Sequence, residues 1–385
     1  MTETLQTQRV AWTWWREASG SVADLGVLVP LAVVLVVGNG LSATAVLLPA
    51  GLTYLLVARV YRVPVAVQPL KAFAAVAIAS GAGVDVIASG ALIMGVLFLV
   101  LGTTGLLDRV ASIFPVAVTR GVQLAVGLTF VKIAWGLLTH PPKEFDFAPT
   151  PSLAIAVAVV LTAALLRWPR RLVLGVVALA LVVAVATTAG STSLEWGPSA
   201  LALPHFSLAS LATAATLLVL PQVPLTFTNS CLAPADAARV YFGARGTSVT
   251  PSRLARTLGA ANLLVAAVGG MPVCHGAGGM SAHYSFGGRT WRTPALIGGV
   301  LVLAAVLGGA GLAGILTGFP LSVLAALLLV AAVAHVRLLG DLRGADAWGI
   351  ALGVGAIGFV TSLAWAVVAG ILVHLAVERR RQGRA

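Results

Sequence analysis

At 385 residues, with 59% hydrophobic side chains and only 9% charged ones, the chain has a mean hydropathy of +1.01, far too apolar for a soluble domain, and reads as a polytopic membrane protein. Its two cysteines, Cys231 and Cys274, fall in apolar or Gly-rich segments and define neither a disulfide framework nor a thiolate metal site. The net charge of +12 comes from basic residues scattered singly between apolar runs; that pattern argues against a nucleic-acid surface and for membrane topology.

In chain order, Trp12, Trp14 and Trp15 precede the first apolar run and suit a membrane interface, and no secretory signal pattern is expected ahead of it. The apolar runs predict spans at about 21–38, 44–58, 66–80, 86–106, 117–138, 152–166, 172–190, 212–231, 254–269, 276–286, 293–314, 319–335, 346–359 and 361–376. That makes fourteen. With the N-terminus inside, all 21 arginines, from Arg9 and Arg16 through Arg59, Arg62, Arg109 and Arg120 to Arg384, fall on the cytoplasmic side. Adding or dropping a span mid-chain would break the positive-inside rule repeatedly, so both termini are expected in the cytoplasm. The three lysines are the exceptions: Lys143 belongs to an outer loop, while Lys71 and Lys132 lie inside spans. Of twelve acidic residues only Asp24 is well embedded, and intramembrane charges usually face a bundle interior or a wet cavity.

The third and tenth runs are interrupted. "RVPVAVQPLKAFAAVAIASG" (62–81) parallels "GMPVCHGAGGMSAHYSFGG" (270–288), with Pro64-Val65 against Pro272-Val273. Upstream of each lies a Pro-Leu step followed by an asparagine, "VPLAVVLVVGN" (29–39) against "VPLTFTNS" (223–230). These are spans one and three of each group of seven. Seven is odd, so the expected fold class is an all-α polytopic membrane protein of two inverted seven-span repeats, about 20–190 and 210–377, in one transmembrane domain covering 1–385. Broken segments at matching places in inverted halves are the best sequence pointer to a transport site. The prolines oppose a continuous helix and favour an extended entry leading into a short helix. Each such helix start exposes unpaired N–H groups and roughly half a positive charge. Two facing starts plus Lys71 give about +2, which suits a dianion.

"PVAVQPLKAFAAVAI", "PQVPLTFTNSCLA", "MPVCHGAGGMSAHYSFGGRT", "ADLGVLVPL" and "TRGVQLAVGLTFVKIA" together resemble the molybdate transporter family, a relative of the sulfate permeases. The resemblance implies the uracil permease and sulfate permease fold, with spans 1–4 and 8–11 as a core and spans 5–7 and 12–14 as a gate. The soluble regulatory domain that ends most sulfate permeases has no counterpart after His374, which favours the molybdate branch. Ala23-Asp24 stands where the family usually has Gly-Asp, and "FTNS" where it has "LGNS", so that Phe227 brings bulk to the expected pocket.

The candidate substrate-binding residues are Gln68 and Lys71, whose carboxamide and ammonium can hydrogen-bond an oxyanion; His275, Gly276, Ala277, Gly278 and Gly279 at the opposite helix start; Gln222 and Asn229 in span 8; and Gln123 in span 5. Close packing of helices accounts equally well for Gly278 and Gly279. Lys132, nine residues beyond Gln123, lies on the other helix face. Asp24 is the candidate proton carrier, while His283 reads as structural. His140, His205, His335 and His374 lack metal-ligand spacing, so neither a metal nor another cofactor is expected. No nucleotide-binding loop occurs, nor any paired nucleophile and base, so neither ATP-driven transport nor an enzyme is expected. The expected activity is elevator-type, secondary active uptake of a tetrahedral oxyanion, molybdate first and sulfate or tungstate as alternatives, by symport with protons, in the cytoplasmic (inner) membrane. An anion channel is the rival reading, and a homodimer is compatible with the sequence.

Overall fold

The structure is a computed structural model that describes residues 14–107, 115–143, 145, 150–189 and 195–382. Trp12, Arg9, Arg109 and Arg384 lie outside the described residues. Every predicted span coincides with helix, and seven helical stretches are long and apolar enough to cross a membrane, among the described residues. Shorter apolar helices occupy four further positions, among them Lys71–Ser80 at the first interrupted run, and a ten-residue helix, Ala277–Phe286, stands at the second.

The chain opens with α1 (Trp14–Ser21), whose Trp14 and Trp15 are exposed, and tightens into a 3-10 turn over Val22–Asp24 before α2 (Leu25–Val37). Glu17 fixes α1: its Oε2 accepts a 2.5 Å hydrogen bond from Thr293. The α3 helix (Ala43–Tyr61) starts at Ser42, whose hydroxyl accepts from the Ala45 N–H, a capping arrangement that satisfies one orphan donor. A two-residue strand β1 (Gln68–Pro69) then leads into α4 (Lys71–Ser80), followed by α5 (Val84–Thr104), α6 (Val116–Thr139), α7 (Pro151–Arg167) and α8 (Pro169–Thr188).

The eighth predicted span is not one regular helix. It is built of α9 (Leu208–Ala214), α10 (Leu220–Leu225) and α11 (Ala233–Phe242), joined by π-helical turns at Ala215–Val219 and Thr226–Leu232. Pro221, Pro224 and Pro234 lie in or beside these turns, and each removes an N–H that a regular helix would bond. Next come α12 (Pro251–Val268), strand β2 (Val273–Cys274), α13 (Ala277–Phe286), α14 (Arg292–Thr317), α15 (Leu321–Arg337), α16 (Ala345–Val360) and α17 (Leu363–Gln382).

Helix contacts run through small residues, as expected where lipid offers no hydrophobic drive. Gly51 of α3 and Gly298 of α14 lie so close that a Cβ on either would sit 2.9 Å from the other's carbonyl oxygen. Gly259 of α12 meets the backbone of Leu99 on α5 in the same way.

The strands pair antiparallel, Gln68 opposite Cys274 and Pro69 opposite Val273. Both helices that follow are ten residues long, and both end on a left-handed glycine, Gly81 and Gly287. Their starts, Lys71 and Ala277, therefore correspond with a two-residue shift from the sequence match of Pro64 with Pro272. The reason is local: a proline stands directly before Leu70 in β1, whereas Pro272 precedes β2.

Candidate functional site

Extended backbone is costly inside a membrane unless its polar groups are satisfied within the protein. Residues 63–70 and 269–276 are buried throughout, and the strand pair satisfies part of their backbone. Leu70 adds a 2.9 Å bond to the Pro272 carbonyl, while Asn262 of α12 grips both backbone groups of Val273, donating at 2.8 Å and accepting at 2.9 Å. The breaks are thus held rigidly, and each delivers a helix start.

At the start of α4 the first intrahelical bond is Ala74 N–H to the Leu70 carbonyl, and Phe73 N–H donates to Gln222 Oε1 at 3.0 Å. That leaves the N–H groups of Lys71 and Ala72. At the start of α13 the first bond is Met280 N–H to the Gly276 carbonyl, which leaves Ala277, Gly278 and Gly279 with free N–H groups. Lys71, Ala277 and Gly278 are reached by solvent-sized space, and a Cβ on Gly278 would meet no atom within 4 Å. Asn229, half-buried on the π-helical turn that packs against α13, has no hydrogen-bond partner among the described residues. Such a set of open N–H groups, one ammonium and one carboxamide recognises an anion.

Behind this face lies a buried polar chain. Lys71 Nζ donates to Gln68 Oε1 at 2.7 Å, and Gln68 Nε2 donates to Asp24 Oδ1 at 2.5 Å. Asp24 Oδ2 accepts a short bond from the Tyr54 hydroxyl. It also lies 2.9 Å from His283 Nε2, off the line of a regular hydrogen bond. The other ring nitrogen, Nδ1, is 2.7 Å from the Gly20 carbonyl and must donate to it. With Nδ1 committed to Gly20, Nε2 is the ring nitrogen that faces the Asp24 carboxylate. Gly279 makes this chain fit, since a Cβ there would stand 2.5 Å from Asp24 Oδ1 and 2.6 Å from Gln68 Nε2.

The structure thus gathers Asp24, Gln68, Lys71, Gly276, Ala277, Gly278 and Gly279, with Gln222 closing one N–H of α4 and Asn229 beside α13. His275 faces elsewhere: Nδ1 donates to the Ala66 carbonyl at 3.0 Å and Nε2 takes the Thr257 hydroxyl at 2.8 Å. Gln123 is also apart. Its Oε1 accepts from Arg120 at 3.0 Å, Arg120 is paired with Asp341, and Gln123 Nε2 has no partner among the described residues. Phe227 turns its bulk away from the helix starts into α5, where its ring lies 5.0 Å from that of Phe98.

Tyr54 and His283 escape sequence reasoning as members of this chain. They sit on α3 and α13, far from Asp24 in sequence, and only the packing of three helices brings them together. The one available signal is an ionisable side chain within an apolar span, which applies to His283. Among the described residues no group of three His, Cys, Asp or Glu side chains could hold a metal.

The arrangement has known counterparts among solved structures. The transmembrane domain of the bicarbonate transporter BicA from a cyanobacterium superposes with a TM-score of 0.62 at 15% identity, covering 93% of this chain and 96% of that one. Murine Slc26a9, an anion transporter in its inward-facing state, gives a TM-score of 0.67 at 15% identity, with 98% of this chain and 70% of that one covered. The fold is therefore the one these multi-pass membrane proteins share. Within that class, the model for the molybdate transporter family ("Molybdate transporter of MFS superfamily") matches residues 16–130 and 214–334. Molybdate transporter 1 of Arabidopsis thaliana is 30% identical over 99% of this chain and 92% of its own length. The chain belongs to the molybdate transporter family. More distant is a probable sulfate transporter of Mycobacterium tuberculosis, 27% identical over 81% of this chain and 56% of its own length.

Proposed function

We propose that this chain is a secondary active transporter that takes a tetrahedral oxyanion, molybdate first, across the cytoplasmic membrane. The observation that carries this reading is the meeting of two helix starts with free N–H groups, Lys71 beside them and Asn229 nearby. A dianion there gains the positive ends of two helices and an ammonium in place of its hydration shell. Family membership and the anion-transporter fold support the substrate class. Sulfate has the same charge and shape, and the mycobacterial relative keeps it as the second reading.

In this reading the chain crosses the bilayer fourteen times as two inverted repeats, with both termini in the cytoplasm. Spans 1–4 and 8–11 carry the anion as a core that slides against a gate of spans 5–7 and 12–14. The pseudo-symmetric strand pair and the matched ten-residue helices support the inversion. Proton coupling runs through Asp24: loss of the proton held against His283 changes the charge behind Gln68, and Gln68 also holds Lys71. His275 and Gln123 act from behind, by holding the broken backbone and the start of α6.

Purified protein tested with molybdate, tungstate and sulfate in competition decides the matter. Saturable binding with molybdate preferred, lost in Lys71→Ala, is expected. Unchanged binding in that variant would remove the site, and preference for sulfate would move the substrate.

A further inference from the structure

A second basic site lies away from the helix starts, at the far end of α3. A cavity of about 410 Å³ opens there between α3 and α14, lined by Leu55, Ala58, Arg59, Arg62, Trp291 and Ala295. Arg59 and Arg62 are exposed, and neither guanidinium has an ion-pair or hydrogen-bond partner among the described residues. Trp291, itself 46% exposed, stands on the opposite wall. The floor is apolar: Leu55 and Ala58 come from one helix and Ala295 from the other.

Arg62 has a backbone feature that bears on this. It closes α3 with φ +58°, and it is the sole non-glycine residue with positive φ among those described. Glycine ends helices this way at no steric cost, whereas a residue with a Cβ pays strain. Arginine at such a position points to a use for its side chain. Arg62 and Arg59, three residues earlier, both line the cavity.

We infer that this cavity binds the headgroup of an anionic phospholipid, with one acyl chain lying along Leu55 and Ala295. Two unpaired guanidinium forks match phosphate oxygens. The Trp291 indole in the same cavity suits the boundary between headgroup and acyl region, and Leu55, Ala58 and Ala295 offer apolar surface to an acyl chain. Basic pockets between transmembrane helices recognise anionic lipid in this way. A free dianion would find no cover here, because the walls are open and half apolar. The inference is independent of the transport reading, since none of its residues touches the Lys71 site.

The test uses the full chain in nanodiscs, released for native mass spectrometry. Wild-type protein is expected to retain phosphatidylglycerol over phosphatidylcholine. The double variant Arg59→Gln/Arg62→Gln should lose that preference, with retention falling about fivefold per arginine. Arg239→Gln, which removes an exposed arginine 3.5 Å from Asp236, should keep it. Thermal unfolding in phosphatidylcholine alone checks that the double variant folds, and single Arg59→Gln replaces it if it does not. Equal retention of both lipids, unchanged retention in the arginine variants, or displacement of the lipid by inorganic phosphate or molybdate would overturn the inference.

Discussion

The two helix starts that meet at the candidate site are alike in backbone and unlike in chemistry. The start of α4 carries side chains: Gln68 and Lys71 feed a buried chain to Asp24, and Gln222 covers the N–H of Phe73. The start of α13 carries almost none, only Gly276, Ala277, Gly278 and Gly279. One half supplies charge and its control, and the other supplies bare backbone. A pair of identical starts would bind an anion equally well by dipole alone but could not link binding to a proton. In the proposed transporter, this asymmetry is what would link anion binding to a proton.

That contrast can be broken most severely at Gly279. Gly279→Ala drives a methyl into Asp24 and Gln68, and overpacking of this kind costs about 1–3 kcal/mol. Uptake should be lost and the melting temperature lowered, measured on the same purified protein in vesicles and by thermal unfolding. Next in size is Lys71→Ala, which removes a charge-assisted hydrogen bond and with it about 1.5–3 kcal/mol. Molybdate affinity should fall roughly ten- to a hundredfold at nearly unchanged melting temperature, as read by titration calorimetry. Lys71→Arg should recover part of it.

Asp24→Asn tests the side-chain half in another way. If proton exchange at Asp24 couples transport, uptake in the variant should become flat with pH across a range where wild-type uptake varies. A variant that keeps the wild-type pH profile would remove Asp24 from coupling. A smaller effect belongs to Gln222→Leu, which leaves the Phe73 N–H without its acceptor; about 1 kcal/mol of stability should go, seen by chemical denaturation in detergent. Smallest of all is Gly278→Ala. Nothing lies within 4 Å of the new methyl, so stability should hold while KM rises a few-fold, because the methyl occupies the space offered to the anion. Equal damage from Gly278→Ala and Gly279→Ala would contradict the assignment of one glycine to the open face and the other to packing.

Sequence reasoning reached the helix starts because proline and glycine speak locally. Pro64, Pro69 and Pro272, close together with glycine and polar residues, disfavour regular helix, so the breaks ahead of Lys71 and Ala277 are legible without a fold, whereas Pro30 and Pro49 stay inside α2 and α3. Apolar run lengths likewise placed a helix in each predicted span, but missed α1 (Trp14–Ser21) and α11 (Ala233–Phe242), which lie beyond the runs. What was hidden depends on contacts between distant segments. Tyr54 and His283 join Asp24 only through the packing of α2, α3 and α13, and His275, prominent in its Gly-rich motif, turns to Thr257 of α12 instead. Gln123 is a candidate pocket residue because it lies in the family-like motif TRGVQLAVGLTFVKIA. Its partner Arg120, held by Asp341 beyond α15, could not be read from the spacing. The π-helical turns of the eighth span were within reach, since Pro221, Pro224 and Pro234 each delete a helix donor.

In the proposed transporter the oxyanion rests between the two helix starts. Soaking or co-purifying the protein with tungstate and locating the metal by anomalous diffraction or electron microscopy tests it directly. Tungstate oxygens are expected at hydrogen-bond distance, about 2.7–3.2 Å, from the N–H groups of Ala277 and Gly278 and from Lys71 Nζ. Tungstate found instead at Gln123 and Arg120, or at Arg59 and Arg62, would contradict it.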